Sequence, residues 1–208
     1  MTNKLCYLFG AGETPVEIPF IEENSLIIAA DGGYKYLSRV GIAPHVLIGD
    51  FDSLPEDIYI PPETQRIALN RIKDNTDMEA ALQLGIQRGC KEFKIYGGTG
   101  GRTSHLIANI ALLVRLAKNS MTGWLISGTE IITVLHNDKI SFSKSERGFV
   151  SVFSLSEKSV GVSESGLKYD LNAHTLLFND PIGISNEFIG VKSNISVKEG
   201  TLLIIKEP

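Results

Sequence analysis

Residues 25–53, SLIIAADGGYKYLSRVGIAPHVLIGDFDS, contain two short apolar runs that are each followed closely by aspartate and glycine. The runs are residues 25–30 (SLIIAA) and 45–48 (HVLI), and their unbroken apolar character is typical of strands buried on both faces of a parallel sheet. Ligands of open parallel sheets bind beyond the carboxyl ends of the strands. The stretch therefore predicts an α/β fold and places its acidic residues where a functional site is expected.

The rest of the first half continues this pattern of alternating strands and helices. Further short apolar runs occupy residues 4–9, 66–69 and 93–96, and we expect them to be buried parallel strands. Thr76 and Glu79 have the spacing of a capping box, and apolar residues recur at helical spacing from there to residue 86. A second helix is predicted over residues 103–118. Strands that alternate with helices indicate a parallel sheet covered on both faces.

The second half changes to short alternating strands separated by turn residues, with no helical period. The predicted strands are residues 130–136, 139–143, 149–155, 174–178, 194–198 and 201–206. We therefore expect two domains. Residues 1–122 form a Rossmann-like α/β domain with a parallel sheet, and residues 123–208 form an all-β sandwich.

Composition and charge exclude several classes of protein. The chain has 208 residues, of which 43% are hydrophobic and 21% charged, as in ordinary globular proteins. A net charge of −4 argues against broad binding to nucleic acid, and no apolar run is long enough to predict a membrane span. Eight acidic and only three basic side chains fall within residues 50–79. With two unrelated cysteines and no targeting segment, the expected location is the cytoplasm.

Two acidic motifs follow the strands of residues 25–53. The first motif is Asp31-Gly32-Gly33, a carboxylate followed by two residues that can adopt positive φ. It fits either a site that a ligand approaches closely or a helix cap followed by a turn. Asp50 and Asp52 either converge on one cation, if the backbone leaves the strand before them, or form a solvated turn. Mg²⁺ prefers one or two carboxylates together with phosphates and water. The pair is therefore compatible with a magnesium site.

The amino ends of the two predicted helices carry residues suited to phosphate. Helix N-termini attract anions. The first predicted helix starts at the segment that contains Lys73, Asp74, Thr76 and Asp77. Thr76 and Asp77 also fit a simple capping segment. Four glycines lie within residues 97–101, directly before Arg102, but their spacing is not that of a Walker A loop. The backbone amides of such a loop and the Arg102 guanidinium are nevertheless suited to bind phosphate. His105 is either a ligand contact or a polar residue near a helix end. Together these elements predict Mg²⁺-nucleotide phosphoryl chemistry.

Residues 10–12 begin like a dinucleotide fingerprint, but Pro15 replaces its third glycine, which leaves either a ligand contact or a simple tight turn. Seven other motifs follow one another along the chain. They are Asp31-Gly32-Gly33, Gly41-Ile42-Ala43-Pro44, Gly49-Asp50-Phe51-Asp52-Ser53, Lys73-Asp74-x-Thr76-Asp77, Gly100-Gly101-Arg102-x-x-His105-x-x-x-Asn109, Gly166-Leu167-Lys168-Tyr169 and residues 183–188 (GISNEF). In this order they resemble the thiamine pyrophosphokinase family.

The resemblance implies an enzyme that transfers pyrophosphate from ATP to the hydroxyl group of thiamine and releases AMP. It also implies a homodimer with the active site at the subunit interface, an ATP- and Mg²⁺-binding first domain and a thiamine-binding second domain. The implied catalytic residues are Asp50, Asp52, Asp74 and Lys73, of which the three aspartates hold Mg²⁺. The implied ATP-binding residues are Asp31, Gly32, Gly33, Thr76, Asp77, Gly100, Gly101, Arg102 and His105. The implied thiamine-binding residues are Tyr169, Ser185 and Asn186.

Ser104 departs from the family pattern, in which aspartate is usual at this position. The loss of one carboxylate leaves open a second interpretation. The chain would then be a catalytically weakened protein that senses thiamine or nucleotide.

Overall fold

The computed structural model describes residues 4–15, 19–70 and 76–207, and the chain divides into two compact units. The first unit contains residues 1–112 and 120–128, and the second contains residues 113–119 and 129–208. The last division between the units falls after residue 128, whereas the sequence-based boundary lies at residue 122, because the strand between these positions pairs in parallel with the first unit's sheet.

The first unit is built on a six-stranded sheet in which every pairing is parallel. Its strands are β1 (Lys4–Phe9), β2 (Leu26–Ala30), β3 (Val46–Gly49), β4 (Gln65–Ala68), β5 (Cys90–Tyr96) and β6 (Thr122–Ile126). Across the sheet they follow the order β6-β5-β1-β2-β3-β4. Strands β1 and β2 are buried along almost their whole length.

Three α-helices and one turn of 3₁₀ helix connect these strands within the described part of the chain. The 3₁₀ turn is Asp31–Gly33, and the helices are α1 (Tyr34–Val40), α2 (Asp77–Gln87) and α3 (Thr103–Lys118). The predicted cap is confirmed, since Thr76 Oγ1 accepts a hydrogen bond from the Glu79 amide at 3.1 Å. Among the described residues, no helix combines the length and apolarity needed to span a membrane.

Strand β6 is absent from the sequence-based prediction, and two further details of the first unit differ from the expectation. Strand β4 is largely exposed rather than buried, because it forms the edge of the parallel sheet and has only β3 as a neighbour. Helix α1 is absent from the sequence-based prediction. Its buried residues Tyr34, Tyr36 and Leu37 are too few to show a helical period, but they pack beneath the sheet with Phe9.

The second unit contains two antiparallel sheets around one apolar core. One has the order β12-β9-β14-β7, with β7 (Ile131–His136), β9 (Phe149–Ser154), β12 (Asn186–Glu187) and β14 (Thr201–Glu207). The other has the order β11-β10-β13-β8, with β8 (Lys139–Phe142), β10 (Lys158–Ser165), β11 (Leu171–Leu177) and β13 (Ser193–Ser196). The predicted fold class, a parallel α/β unit followed by a β-sandwich, is confirmed.

Strands β10 and β12 are also absent from the sequence-based prediction. Strand β10 is rich in serine and lacks a regular apolar alternation, yet Ser159, Gly161, Val162 and Glu164 are buried. Ser159 is fully buried, and its hydroxyl pairs with that of Ser154 at 2.8 Å. Buried hydroxyl groups that satisfy one another allow a polar sequence to form an internal strand.

Candidate active site

Two glycine-rich loops lie side by side beyond the carboxyl ends of β1 and β5. The Gly10 amide donates to the Tyr96 carbonyl at 2.8 Å, the Gly12 amide to the Gly97 carbonyl at 2.9 Å, and the Glu13 amide to the Thr99 carbonyl at 2.8 Å. Gly97 has a φ of 67°, and a Cβ atom there would lie 2.1 Å from the Gly10 carbonyl oxygen. Only glycine therefore permits this close approach of the two backbones.

Replacing Gly97 by alanine is expected to lower the free energy of unfolding by more than about 3 kcal/mol, since positive φ and a steric clash both add to the cost. Gly41 is a matched control because its φ is 74° and a Cβ atom added there would have no neighbour within 4 Å. Gly41→Ala should cost only about 1 kcal/mol. Urea denaturation measures both values. Equal losses would show that the contact between the loops does not constrain Gly97.

The two loops form one wall of a cavity of about 620 Å³ in the first unit. Its lining comes from the ends of β1, β2, β3 and β5 and from the starts of α2 and α3. The residues are Gly10, Ala11, Gly12, Ala30, Asp31, Asp50, Thr76, Asp77, Met78, Gly97, Gly98, Thr99, Gly101, Arg102, His105, Leu106, Ala108 and Asn109. The volume is within the range of small-molecule sites, and its place at the strand ends is the one expected for a ligand.

Three carboxylates gather at one side of this cavity. One oxygen from each of Asp31, Asp50 and Asp52 lies within 4.8 Å of the others. The chain turns between the last two at Phe51, whose φ is 62°, so both carboxylates reach the same place, and the Asp52 amide donates to Asp50 Oδ1 at 3.2 Å. Asp31 also has a positive φ of 43°, whereas Gly32 and Gly33, expected to supply that freedom, do not. A non-glycine residue held there is typical of functional sites.

The acidic cluster fits a hard divalent cation. Asp31 Oδ1 is buried, and no donor among the described residues reaches it. A buried carboxylate oxygen without a partner is costly, and a cation coordinated by several oxygens removes that cost. Asp31, predicted as an ATP-binding residue, thus joins Asp50 and Asp52 as a candidate metal ligand.

Other residues of the cavity lining carry groups that suit phosphate. Helices α2 and α3 both begin there, and a helix N-terminus carries positive partial charge. Arg102 Nη2 donates to His105 Nε2 at 2.5 Å, so His105 holds the guanidinium at the rim of the cavity. Asn109 Nδ2 donates to the Gly98 carbonyl at 2.8 Å and thereby ties α3 to the glycine loop.

Most of the predicted ATP-binding residues line this cavity, namely Asp31, Thr76, Asp77, Gly101, Arg102 and His105. The described lining does not include Gly32, Gly33 and Gly100. At each of them, a Cβ atom would lie too close to a neighbouring residue. A Cβ atom on Gly33, for example, would lie 1.9 Å from the Phe9 carbonyl oxygen. The predicted residues Lys73 and Asp74 lie outside the described residues. Ser104 is exposed on the first turn of α3 and does not belong to the described lining of the cavity.

Other parts of the lining carry only weak signals in the sequence. The loop of residues 10–12 contributes directly, although Pro15 argues against a dinucleotide site. Met78 and Thr99 also line the cavity. The sequence assigns Met78 only to the buried face of a helix, because apolar spacing does not reveal which end of a helix faces a ligand.

The predicted thiamine-binding residues lie together in the second unit. The Asn186 side chain pairs with both backbone groups of Tyr169, since its Oδ1 accepts from the Tyr169 amide at 3.0 Å and its Nδ2 donates to the Tyr169 carbonyl at 2.7 Å. The Tyr169 residue is 63% exposed. The Ser185 amide donates to Ser151 Oγ at 3.0 Å with a φ of 57°. These contacts fix the backbone and leave an aromatic face open.

Lys168 and Glu187 border the exposed ring. Lys168 Nζ lies 2.7 Å from a Glu187 carboxylate oxygen and 5.8 Å from the Tyr169 ring centroid. The hydrogen bond and charge of Glu187 raise the pKa of Lys168. The ion pair offsets the positive charge beside the ring, so the face of Tyr169 is still suited to a cationic ligand.

Comparison with known proteins identifies relatives over both units. Residues 19–125 match the family model of the thiamin pyrophosphokinase catalytic domain, and residues 137–202 match that of the thiamin pyrophosphokinase vitamin B1 binding domain. Thiamine pyrophosphokinase of Bacillus subtilis is 30% identical over 191 residues, which cover 90% of this chain and 89% of that protein. The crystal structure of thiamine pyrophosphokinase from Bacillus subtilis has a TM-score of 0.86 at 27% identity and covers 98% of this chain and 99% of its own. Thiamin pyrophosphokinase from Candida albicans shares the fold, with a TM-score of 0.80 at 19% identity, over 99% of this chain and 90% of its own. These matches do not favour the sensor interpretation that Ser104 suggested.

Proposed function

The chain belongs to the thiamine pyrophosphokinase family, and from the cavity of its first unit we propose how it binds ATP for this reaction. The activity is the transfer of pyrophosphate from ATP to the hydroxyl group of thiamine, which gives thiamine diphosphate and AMP. The observation that carries the proposal is the meeting of an acidic cluster, two glycine loops and two helix N-termini in one cavity.

Asp31, Asp50 and Asp52 are the residues that would hold Mg²⁺, with Asp74 as a further ligand implied by the family resemblance. Their chemistry suits this ion, because hard oxygen ligands and the buried, unpartnered Asp31 Oδ1 favour a divalent cation. When bound, Mg²⁺ neutralises charge on the phosphates of ATP. Lys73, in the segment before Thr76, is proposed to contact phosphate.

The phosphate chain of ATP lies, in this proposal, between the glycine loops and the N-termini of α2 and α3. Backbone amides and the Arg102 guanidinium donate hydrogen bonds to the phosphate oxygens, and His105 orients the guanidinium. The thiamine hydroxyl oxygen attacks the β-phosphorus and gives up its proton to solvent, the bond from that phosphorus to the bridging oxygen breaks, and AMP leaves with that oxygen. Positioning and charge stabilisation are the main demands of such a transfer.

Thiamine is proposed to bind at Tyr169, Ser185 and Asn186, with its cationic ring against the exposed face of Tyr169. We propose a homodimer in which this surface of one protomer completes the ATP cavity of its partner. Exposed apolar side chains in the second unit, including Phe178 and Ile184, support an interface there. Light scattering should give about twice the chain's 22.7 kDa. The two buried free cysteines support a reducing, cytoplasmic location.

Product analysis tests the function directly. AMP and thiamine diphosphate should form in equal amounts only when ATP, thiamine and Mg²⁺ are all present, and chelation by EDTA should stop their formation. Omission of thiamine is the control for simple nucleotide hydrolysis. Nucleotide hydrolysis at the same rate without thiamine, from protein with a cooperative unfolding transition, would contradict the proposal.

A further inference from the structure

Glu164 is a buried carboxyl group in the second unit to which the proposed reaction gives no role. It lies on β10 and is only 1% exposed. Its Oε2 accepts a hydrogen bond from Asn186 Nδ2 at 2.9 Å, and its Oε1 is buried with no partner among the described residues. Val162 and Leu167, which are close to it in sequence, belong to the apolar core. Burial of a carboxyl group costs free energy, so a functional reason for its presence is expected in the one hydrogen bond that it makes to a described residue.

That contact completes the hydrogen bonding of Asn186. Asn186 Oδ1 accepts from the amides of Tyr169 at 3.0 Å and Glu187 at 2.9 Å. Asn186 Nδ2 donates to the Tyr169 carbonyl at 2.7 Å and to Glu164 Oε2 at 2.9 Å. A side-chain amide has two donor hydrogens and two acceptor lone pairs, and all four are used here. The amide is therefore held in one orientation.

Without Glu164, one of these four bonds has no partner. Asn186 is itself only 5% exposed, so its second N–H would then be buried and unsatisfied. Such a group costs enough to favour rotation of the amide toward another acceptor or toward water. Rotation would release the backbone of Tyr169, since the same amide holds both of its polar groups.

We propose that Glu164 is a positioning residue for thiamine, because it fixes the Asn186 amide and through it the backbone that carries the exposed Tyr169 ring. The inference depends on the proposed function, in which thiamine binds against Tyr169, and the buried Asn186 acts by holding the Tyr169 backbone. Glu164 is buried and is proposed to act only through Asn186. Burial raises the pKa of Glu164, and the Asn186 hydrogen bond partly opposes this shift. Either protonation state leaves an oxygen that accepts from Asn186.

Steady-state kinetics of two variants test the role of the acceptor. Glu164→Met keeps much of the volume but removes the acceptor, and it should raise the KM for thiamine about tenfold while leaving the KM for ATP and kcat within about twofold. Glu164→Gln keeps an acceptor oxygen and should retain most of the affinity for thiamine. A partly unfolded sample lowers the apparent maximal rate and leaves KM unchanged, so a merely structural role gives a different result.

A double-mutant cycle shows whether Glu164 acts through Asn186. Asn186→Ala should itself raise the KM for thiamine, and adding Glu164→Met should raise it little further, since the two residues then share one effect. If Glu164→Met does not fold, Glu164→Thr replaces it, because threonine suits a strand and is too short to reach the amide. An unchanged KM for thiamine in the acceptor-free variant, or a full second increase in the double variant, would overturn the inference. Wild-type protein that makes no AMP with thiamine would instead refute the proposed function.

Discussion

Asp50→Asn is expected to lower the rate of thiamine-dependent AMP formation about a thousandfold. The substitution keeps the size of the side chain, but it replaces one acceptor oxygen by an amide donor and removes a negative charge from the cluster with Asp31 and Asp52. A metal that stabilises developing charge on phosphate supplies several kcal/mol, and each 1.4 kcal/mol corresponds to about tenfold in rate. Initial rates of AMP release at saturating ATP and thiamine, over a range of Mg²⁺ concentrations, measure the effect.

Asp57→Asn is the matched control for this experiment. Asp57 is an exposed residue shortly after the same strand end, and it is not part of the acidic cluster. The control makes the same change in charge and should keep the wild-type rate within about twofold, since exposed charges interact weakly. Equal losses in the two variants, or full activity in Asp50→Asn, would contradict a specific role for the cluster.

Arg102→Ala is expected to reduce kcat/KM for ATP about a hundredfold and to change the KM for thiamine by less than about threefold. The guanidinium lies at the cavity, and each charge-assisted hydrogen bond that it donates to phosphate is worth about 1.5–3 kcal/mol. Arg102→Lys should recover part of the loss, because lysine keeps the charge but not the two-pronged donor geometry. Separate titrations of ATP and thiamine at saturating concentrations of the other substrate measure both values.

Arg39→Ala controls for the loss of an arginine elsewhere in the first unit. Arg39 is exposed near the end of α1, with its guanidinium carbon 5.6 Å from the Tyr36 ring centroid, and it does not line the described cavity. Its loss should leave the kinetics of ATP unchanged within about twofold. An Arg102→Ala variant with wild-type ATP kinetics would remove Arg102 from the phosphate site.

The parts of the fold that sequence predicts well are those in which one physical signal dominates. Buried parallel strands such as β1 and β2 are continuous apolar runs, and helix α2 has both a cap at Thr76 and a clear apolar stripe. The acidic motifs can be located as well, because they directly follow such strands. Strand ends in a parallel sheet share one edge, which is why a linear pattern predicts a common site.

The parts that sequence predicts poorly depend on contacts between distant residues. Strand β10 is polar in sequence, and its burial depends on hydroxyl groups that find partners only in the folded sandwich. Strand β4 overlaps a short apolar run like those of the buried strands, but its place at the edge is decided by the order of strands in the sheet.

The candidate site also depends on contacts between residues that are distant in sequence. That Asp31 joins Asp50 and Asp52 follows from the pairing of β2 with β3, which brings residues about twenty positions apart to one point. Glu164 and Asn186 are 22 positions apart, and the sequence around either residue does not predict their contact. Motifs identify the aspartates and Asn186, but only the fold shows which residues are in contact.

One co-crystal structure tests most directly whether the acidic cluster, the glycine loops and Arg102 form a single site for ATP and its divalent cation. Crystals grown with thiamine, Mn²⁺ and α,β-methylene ATP, in which the bond broken in the reaction is replaced, allow the metal to be located by its anomalous scattering. We expect a peak about 2.1 Å from carboxylate oxygens of the Asp31, Asp50 and Asp52 cluster, with the triphosphate beside Arg102. A metal and triphosphate bound away from this cavity, with the three carboxylates uncoordinated, would contradict the proposed site.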